Sequence, residues 1–336
     1  MARLFIIGNG FDCYAHFDDT KVGMKTRYMD FKNDILKRYP KQISPISYPY
    51  RIAPGFEYDE NMLVSYIVQT LDYCQDDAWS TLEPAFGESL VTIFMEDIYE
   101  NSFLVNFKKN FGDGFDSWDE YAEAYRQLTF LTERGLALED TAKKIKALFV
   151  QWVTDQLQNI DYGKYGKNAG FEKVFHRNQS QNDKYLTFNY TLTLEKLYHI
   201  SEKQILHIHG KVGDDKENFC FGHGENAYDI HDMDIISGLE HSVSRVLRIL
   251  EKRTERIILE NKTFFQNLQD ITEIYSYGFS FGDVDMVYLD EICKYISPKE
   301  VTWYFNTYDT MNNPEYLEKI RNRGFLVKTE SAWDIR

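Results

Sequence analysis

Apolar residues open the chain in a run, Leu4-Phe5-Ile6-Ile7, that ends at Gly8-Asn9-Gly10. Four consecutive apolar positions without helical spacing predict a strand buried on both faces, as in a parallel sheet, and the glycines predict a sharp turn. Gly8 suits a positive φ and Gly10 a close approach of a ligand to the backbone. A helix starting near Phe11 and Asp12 would aim free N–H groups at an anion. Apolar positions then recur at helical spacing over 29–39, with Thr26 as a cap and Pro40 as a stop. Three of the seven prolines fall within 42–55 and mark a loop.

From about 60 to 160 the pattern is helical, over 62–73, 91–99, 118–131 and 137–160, with interspersed charge and almost no strand-like alternation. The stretch 159–183 is richer in Gly, Asn, Lys and Gln and reads as a connection. The α/β pattern then returns, with strands expected at 185–188, 205–208, 219–221, 274–278, 301–306 and 324–327. Helices are expected at 194–198 and 285–295, with one long amphipathic helix over 236–265. The chain therefore reads as an α/β domain made of 1–44 and 181–336, carrying a mainly helical insertion over 45–180.

Several of these strands end in Gly, Asn, His or Ser. In an open parallel sheet the ligand crevice lies outside the carboxyl ends of the strands, so residues 8–12, 187–191, 207–210 and 278–285 should converge on one pocket. The first turn follows a dinucleotide fingerprint only in part, because Cys13 stands where its third glycine would be. Asn189 offers an acceptor and donors suited to a ribose hydroxyl or a carboxamide, and equally suits a turn or a helix cap. His209, before Gly210, is either a base at an exposed strand end or a core histidine bonded to a carbonyl. His207, two residues earlier on a regular strand, would point to the same side, but nothing at metal-ligand spacing completes a site. Ser280 suits phosphate or ribose, and Asp283 or Asp285 suits a cap on the next helix. Glu83 is either a surface helix residue or a carboxylate facing the cleft.

Composition narrows the classes. Acidic residues number 53 against 38 basic, a net charge of -15 that argues against a general nucleic-acid or anionic-membrane binder. Cysteines at 13, 74, 220 and 293 suggest neither a disulfide framework nor a metal cluster, and a reducing compartment fits them. The N-terminus lacks the regions of a signal peptide, and no stretch approaches the roughly 20 apolar residues of a membrane span. A cytoplasmic protein is expected.

The segment from Leu4 to Asp12, Gly23-x-x-Thr26-x-Tyr28-x-x-Phe31, Trp79-x-x-Leu82-Glu83, Thr187-Phe188-Asn189-Tyr190-Thr191, His207-Ile208-His209-Gly210, Phe221-Gly222-His223 and Gly278-x-Ser280-x-Gly282-x-x-Asp285 together resemble the bacteriophage abortive infection AbiH family. That family is similar to SIR2-like antiphage defence proteins, whose Rossmann-like domain binds NAD. The resemblance implies a Rossmann-like, SIR2-like parallel sheet flanked by helices and a defence effector that cleaves the bond between NAD's ribose and nicotinamide, with no metal. It implies Gly8 and Gly10 at the pyrophosphate, Gly278, Ser280 and Asp285 on the adenosine side, and Asn189 and His209 for positioning and ribose activation. Asn9, Phe11 and Thr187 of the same strand ends are expected to line the nucleotide. Asp12 or Glu83 could stabilise positive charge on the ribose, Asp12 being the first choice. Asn9 replaces the usual Ala between the glycines, and the CxxC pairs of a sirtuin zinc ribbon are absent, which argues against deacetylation. NAD or a related adenine nucleotide, a phage-derived trigger and a second copy of the chain are the expected partners. A nucleotide-binding sensor without turnover is the alternative.

Overall fold

A computed structural model describes residues 2–17, 21–39, 60–73, 79–100, 118–177, 179–224, 228–230 and 233–333. The loop expected over 42–55 and Cys74 lie outside them. The chain divides into two units: Met1–Asp30, Val150–Cys220 and Arg253–Arg336 form the first, Phe31–Phe149 and Phe221–Lys252 the second.

The first unit is built on one sheet of six strands, β1 (Ala2–Ile7), β2 (Lys184–Thr187), β3 (Ile205–His207), β4 (Ile271–Tyr277), β5 (Thr302–Phe305) and β6 (Leu326–Thr329). Their order is β3-β2-β1-β4-β5-β6 and every pair is parallel, which makes the unit an α/β, Rossmann-like fold. The chain starts at the centre, runs to one edge and returns to fill the other half. The reversal falls between β1 and β4, where such sheets open a crevice.

All six residues of β1 are buried, and their side chains alternate between two cores. Leu4 and Ile6 pack with Leu186, Ile274 and Trp303, on the face covered by helices Met286–Ile292 and Pro314–Arg321. Phe5 and Ile7 pack on the other face with Phe175, Tyr185, Tyr275 and Trp333. Phe5 lies against Tyr185 and Tyr275, with ring centroids 4.7 and 5.3 Å away. Helix Ala169–His176, which covers that face, arises within the stretch expected to be a connection and is capped by Asn168 Oδ1, which accepts from Gly170 N and Phe171 N. At the amino end of the sheet Arg3 Nη2 donates to Asp183 Oδ2 at 2.6 Å, and the Arg3 and Ser180 backbone N–H groups donate to the same carboxylate.

The second unit is helical, with Glu60–Tyr73, Trp79–Ala85, Glu88–Glu100 and Glu240–Ile249 beside the greater part of Trp118–Trp152. The two helices expected over 118–131 and 137–160 are one. Gly135 serves there as a close-approach point, since a Cβ on it would lie 2.4 Å from Ser242 Oγ. The long helix expected over 236–265 is instead three: Glu240–Ile249, Thr254–Glu260 and Lys262–Gln266. The first of them stops because the chain turns to pair with another segment of its own unit. His223 N donates to Leu250 O, and Lys252 N donates back to His223 O. Residues 219–221, expected as a strand, form none, and His223 makes only an isolated bridge to Glu251.

Candidate functional site

Register decides which residues meet at the carboxyl end of the first unit's sheet. The last paired row across β3, β2, β1 and β4 is His207, Thr187, Ile7 and Tyr277. One further residue on each of three strands continues the ladder: Gly8 N donates to Tyr277 O, Phe188 N to Ile7 O and Ile208 N to Thr187 O. Gly8-Asn9-Gly10, Asn189, His209 and Gly278 follow that row directly, so four segments distant in sequence arrive at one end of the sheet.

The glycines of the first turn answer to β4. A Cβ on Gly8 would lie 2.3 Å from Gly278 O, and one on Gly10 would lie 2.7 Å from Gly278 Cα. The positive φ expected at Gly8 falls at Gly278, at +64°, where a Cβ would lie 2.4 Å from Phe11 N. The N–H groups of this turn are bonded within the chain, Gly10 to Gly278 O, Phe11 to Gly8 O and Asp12 to Asn9 O. These glycines therefore let two strand ends cross without side chains between them. Phe11 is the second residue of the short helix α1 (Gly10–Ala15), with its ring in the aromatic core, 4.9 Å from Phe171.

Asp12, one residue further along α1, has no exposed surface. Thr191 Oγ1 donates to its Oδ2 at 2.6 Å and Thr193 Oγ1 to its Oδ1 at 2.7 Å. Burial raises its pKa to about 6 against the pull of Thr191, Thr193, the His207 ring and the Asn189 side chain. The tie fastens the turn after β2 to the helix after β1. Leu192 N, in the same turn, donates to Tyr162 Oη at 2.8 Å.

Asn189 sits on that turn. Its backbone N–H donates to Thr187 Oγ1 at 3.1 Å, and its side chain is buried at 5 % exposure. Neither its Oδ1 nor its Nδ2 makes a well-formed hydrogen bond among the described residues, although the side chain acts on the Asp12 carboxyl and lowers its pKa. Buried carboxamides ordinarily complete their bonding, and this one does not.

The two histidines part company, against the expectation that they share a side, because β3 ends at His207 and Ile208-His209 form a turn. His207 Nδ1 bonds Asn189 O at 2.9 Å, and its Nε2 bonds Glu195 Oε1 at 2.9 Å. His209 is buried edge-on to Phe188, with ring centroids 5.2 Å apart, and its Nε2 lies 3.3 Å from Asp285 Oδ1. Asp285 ends a short 3-10 turn that delivers it from the β4 side. Ser280 is partly buried on the same connection. Gly210, with a φ of +85°, lets the turn bend back beneath His209, whose carbonyl accepts from Cys220 N at 2.9 Å.

Glu83 belongs to the second unit, where its Oε2 accepts from the buried Lys252 Nζ at 2.7 Å. Sequence reasoning missed Thr191, Thr193 and Glu195 as site residues, although a Thr-x-Thr-x-Glu run directly after Asn189 carries the signal. Among the described residues no group of three or more His, Cys, Asp or Glu side chains is placed to hold a metal, and no helix is long and apolar enough to cross a membrane.

A search of curated proteins finds no match to this chain. A family model described as bacteriophage abortive infection AbiH matches residues 4–307, from β1 through the end of β5 and every segment of the site above. The chain therefore belongs to the AbiH family and to bacteriophage abortive infection.

Proposed function

We propose that the carboxyl end of the first unit's sheet binds NAD and hydrolyses its bond to nicotinamide. Asn189 carries this reading: its carboxamide is buried, without a well-formed hydrogen bond, and held just past the carboxyl end of β2, beside the strand β1 at which the sheet order reverses. A buried polar group without a partner costs about 1–3 kcal/mol, and a ligand that completes its hydrogen bonds recovers that cost on binding. The ribose hydroxyls or the nicotinamide carboxamide supply the matching donors and acceptors. The pyrophosphate then passes over the outer side of the Gly8-Asn9-Gly10 turn towards Ser280.

In the reaction the bond between ribose C1′ and the nicotinamide nitrogen breaks, and its electron pair leaves with nicotinamide. A water oxygen bonds to C1′, giving ADP-ribose. His209, oriented by Asp285 at 3.3 Å, takes the proton released on the ribose side. Positive charge grows on the ribose as the bond stretches, and groups fixed in advance stabilise it without reorganising. Asp12 supports that charge from beneath and holds the Asn189 turn through Thr191 and Thr193. In an abortive-infection protein this activity removes NAD from the infected cell, with a phage-derived trigger and self-association as its controls.

Purified protein incubated with NAD, alone and with phage lysate, should release nicotinamide and ADP-ribose, followed by chromatography. His209→Ala should lower that release by about 100-fold with its melting temperature kept. Equal rates in the two proteins would remove His209 from the mechanism. NAD that raises the melting temperature without being consumed would leave a nucleotide sensor.

A further inference from the structure

We propose that His207 and Glu195 are positioning residues that fix Asn189 for its ligand, an inference that rests on the reading of Asn189 given above. His207 is almost fully buried between two acceptors. Its Nδ1 meets Asn189 O and its Nε2 meets Glu195 Oε1, each at 2.9 Å. Their side chains are 6 % and 8 % exposed, so neither contact is a surface ion pair. A neutral imidazole donates through one nitrogen only.

The consequence lies in which atom of Asn189 is held. Its carboxamide makes no well-formed hydrogen bond, while its backbone is tied at both ends of the residue: N–H to Thr187 Oγ1 at 3.1 Å, C=O to His207. An unbonded buried side chain keeps a defined direction only if the backbone beneath it is rigid, and the bond from His207 supplies the second point of fixation. Glu195 holds the ring from its far side, and Glu195 itself lies on helix Thr193–Lys196, directly after the Thr191 and Thr193 tie to Asp12. The two residues thus act on ligand through Asn189 and do not touch it, and a site organised this way loses affinity when its support is removed.

A double-mutant cycle read by calorimetric titration of NAD tests this. His207→Ala should weaken NAD binding about tenfold, the loss of one charge-assisted hydrogen bond. Asn189→Ala should weaken it at least as much, and the double variant should bind no worse than Asn189→Ala alone. Glu195→Gln, which keeps an acceptor for the ring, should stay within about threefold of wild type, while Glu195→Ala falls further. Should His207→Ala fail to fold, His207→Gln keeps one donor to Asn189 O and takes its place in the cycle. Losses that multiply in the double variant, or His207 variants that bind as wild type does, overturn the inference and leave the NAD reading intact. A wild-type protein that binds no NAD overturns both, and is recognised before any variant is compared.

Discussion

Asp183 and Asn189, buried polar side chains at opposite ends of β2, are bonded very differently. At the amino end Asp183 accepts from Arg3 Nη2 at 2.6 Å and from the Arg3 and Ser180 backbone N–H groups at 3.0 Å. Arg3 also donates to the carbonyls of Val174 and Phe175, at 2.8 and 2.9 Å. That carboxylate completes its bonding within the chain. At the carboxyl end of the same strand, Asn189 is 5 % exposed and its side chain makes no well-formed hydrogen bond. A polar group whose bonding is complete inside the fold serves the fold. One held rigidly and left incomplete costs stability, a cost that the binding proposed above would offset.

The largest effect expected from this contrast is at the amino end. Asp183→Ala strands the Arg3 guanidinium in the interior and should cost about 3–5 kcal/mol in urea unfolding, while NAD binding to the folded fraction stays unchanged. A loss under 1 kcal/mol would remove the distinction between the two ends. Next comes Asp12, whose folded pKa of about 6 lies above the model value of 3.8. A raised carboxyl pKa means that the folded state binds the proton more tightly than the unfolded chain. Its contribution is therefore complete below about pH 4 and is lost as pH rises through about 6. The change amounts to about 3 kcal/mol. In paired unfolding curves at pH 4.5 and 7.5, the wild type should lose stability relative to Asp12→Asn as pH rises. An unchanging difference between the two proteins would mean that Asp12 titrates as an ordinary acid and would contradict its perturbation by burial at this turn.

What the sequence made legible follows from locality. Leu4-Phe5-Ile6-Ile7 announces a strand buried on both faces because no polar residue interrupts it, and the structure seats those side chains in two cores. The strand-end residues were readable because a parallel sheet gathers its carboxyl ends by construction. Gly278 was one of them, but not as the point where the turn after β1 crosses, since a glycine in a sequence does not reveal which segment will pass over it. Thr191 and Thr193 matter through Asp12, some 180 positions away in the chain. The apparent helix over 236–265 fails for the same reason. Its periodicity is continuous through Leu250 and Lys252, and a pairing with His223 that no local pattern encodes cuts it.

The smallest stability change belongs to Asn189, and there the contrast is tested most directly. Thermal unfolding of wild type and Asn189→Ala, each with and without NAD, reads both halves in one experiment. Removing two buried, unbonded atoms should leave the melting temperature of the free protein unchanged or slightly higher, within about 0.5 kcal/mol, and should abolish the rise that NAD gives the wild type. A free variant destabilised as severely as Asp183→Ala, or one that NAD stabilises as fully as wild type, would mean that Asn189 serves the fold and that the carboxyl end is no different from the amino end.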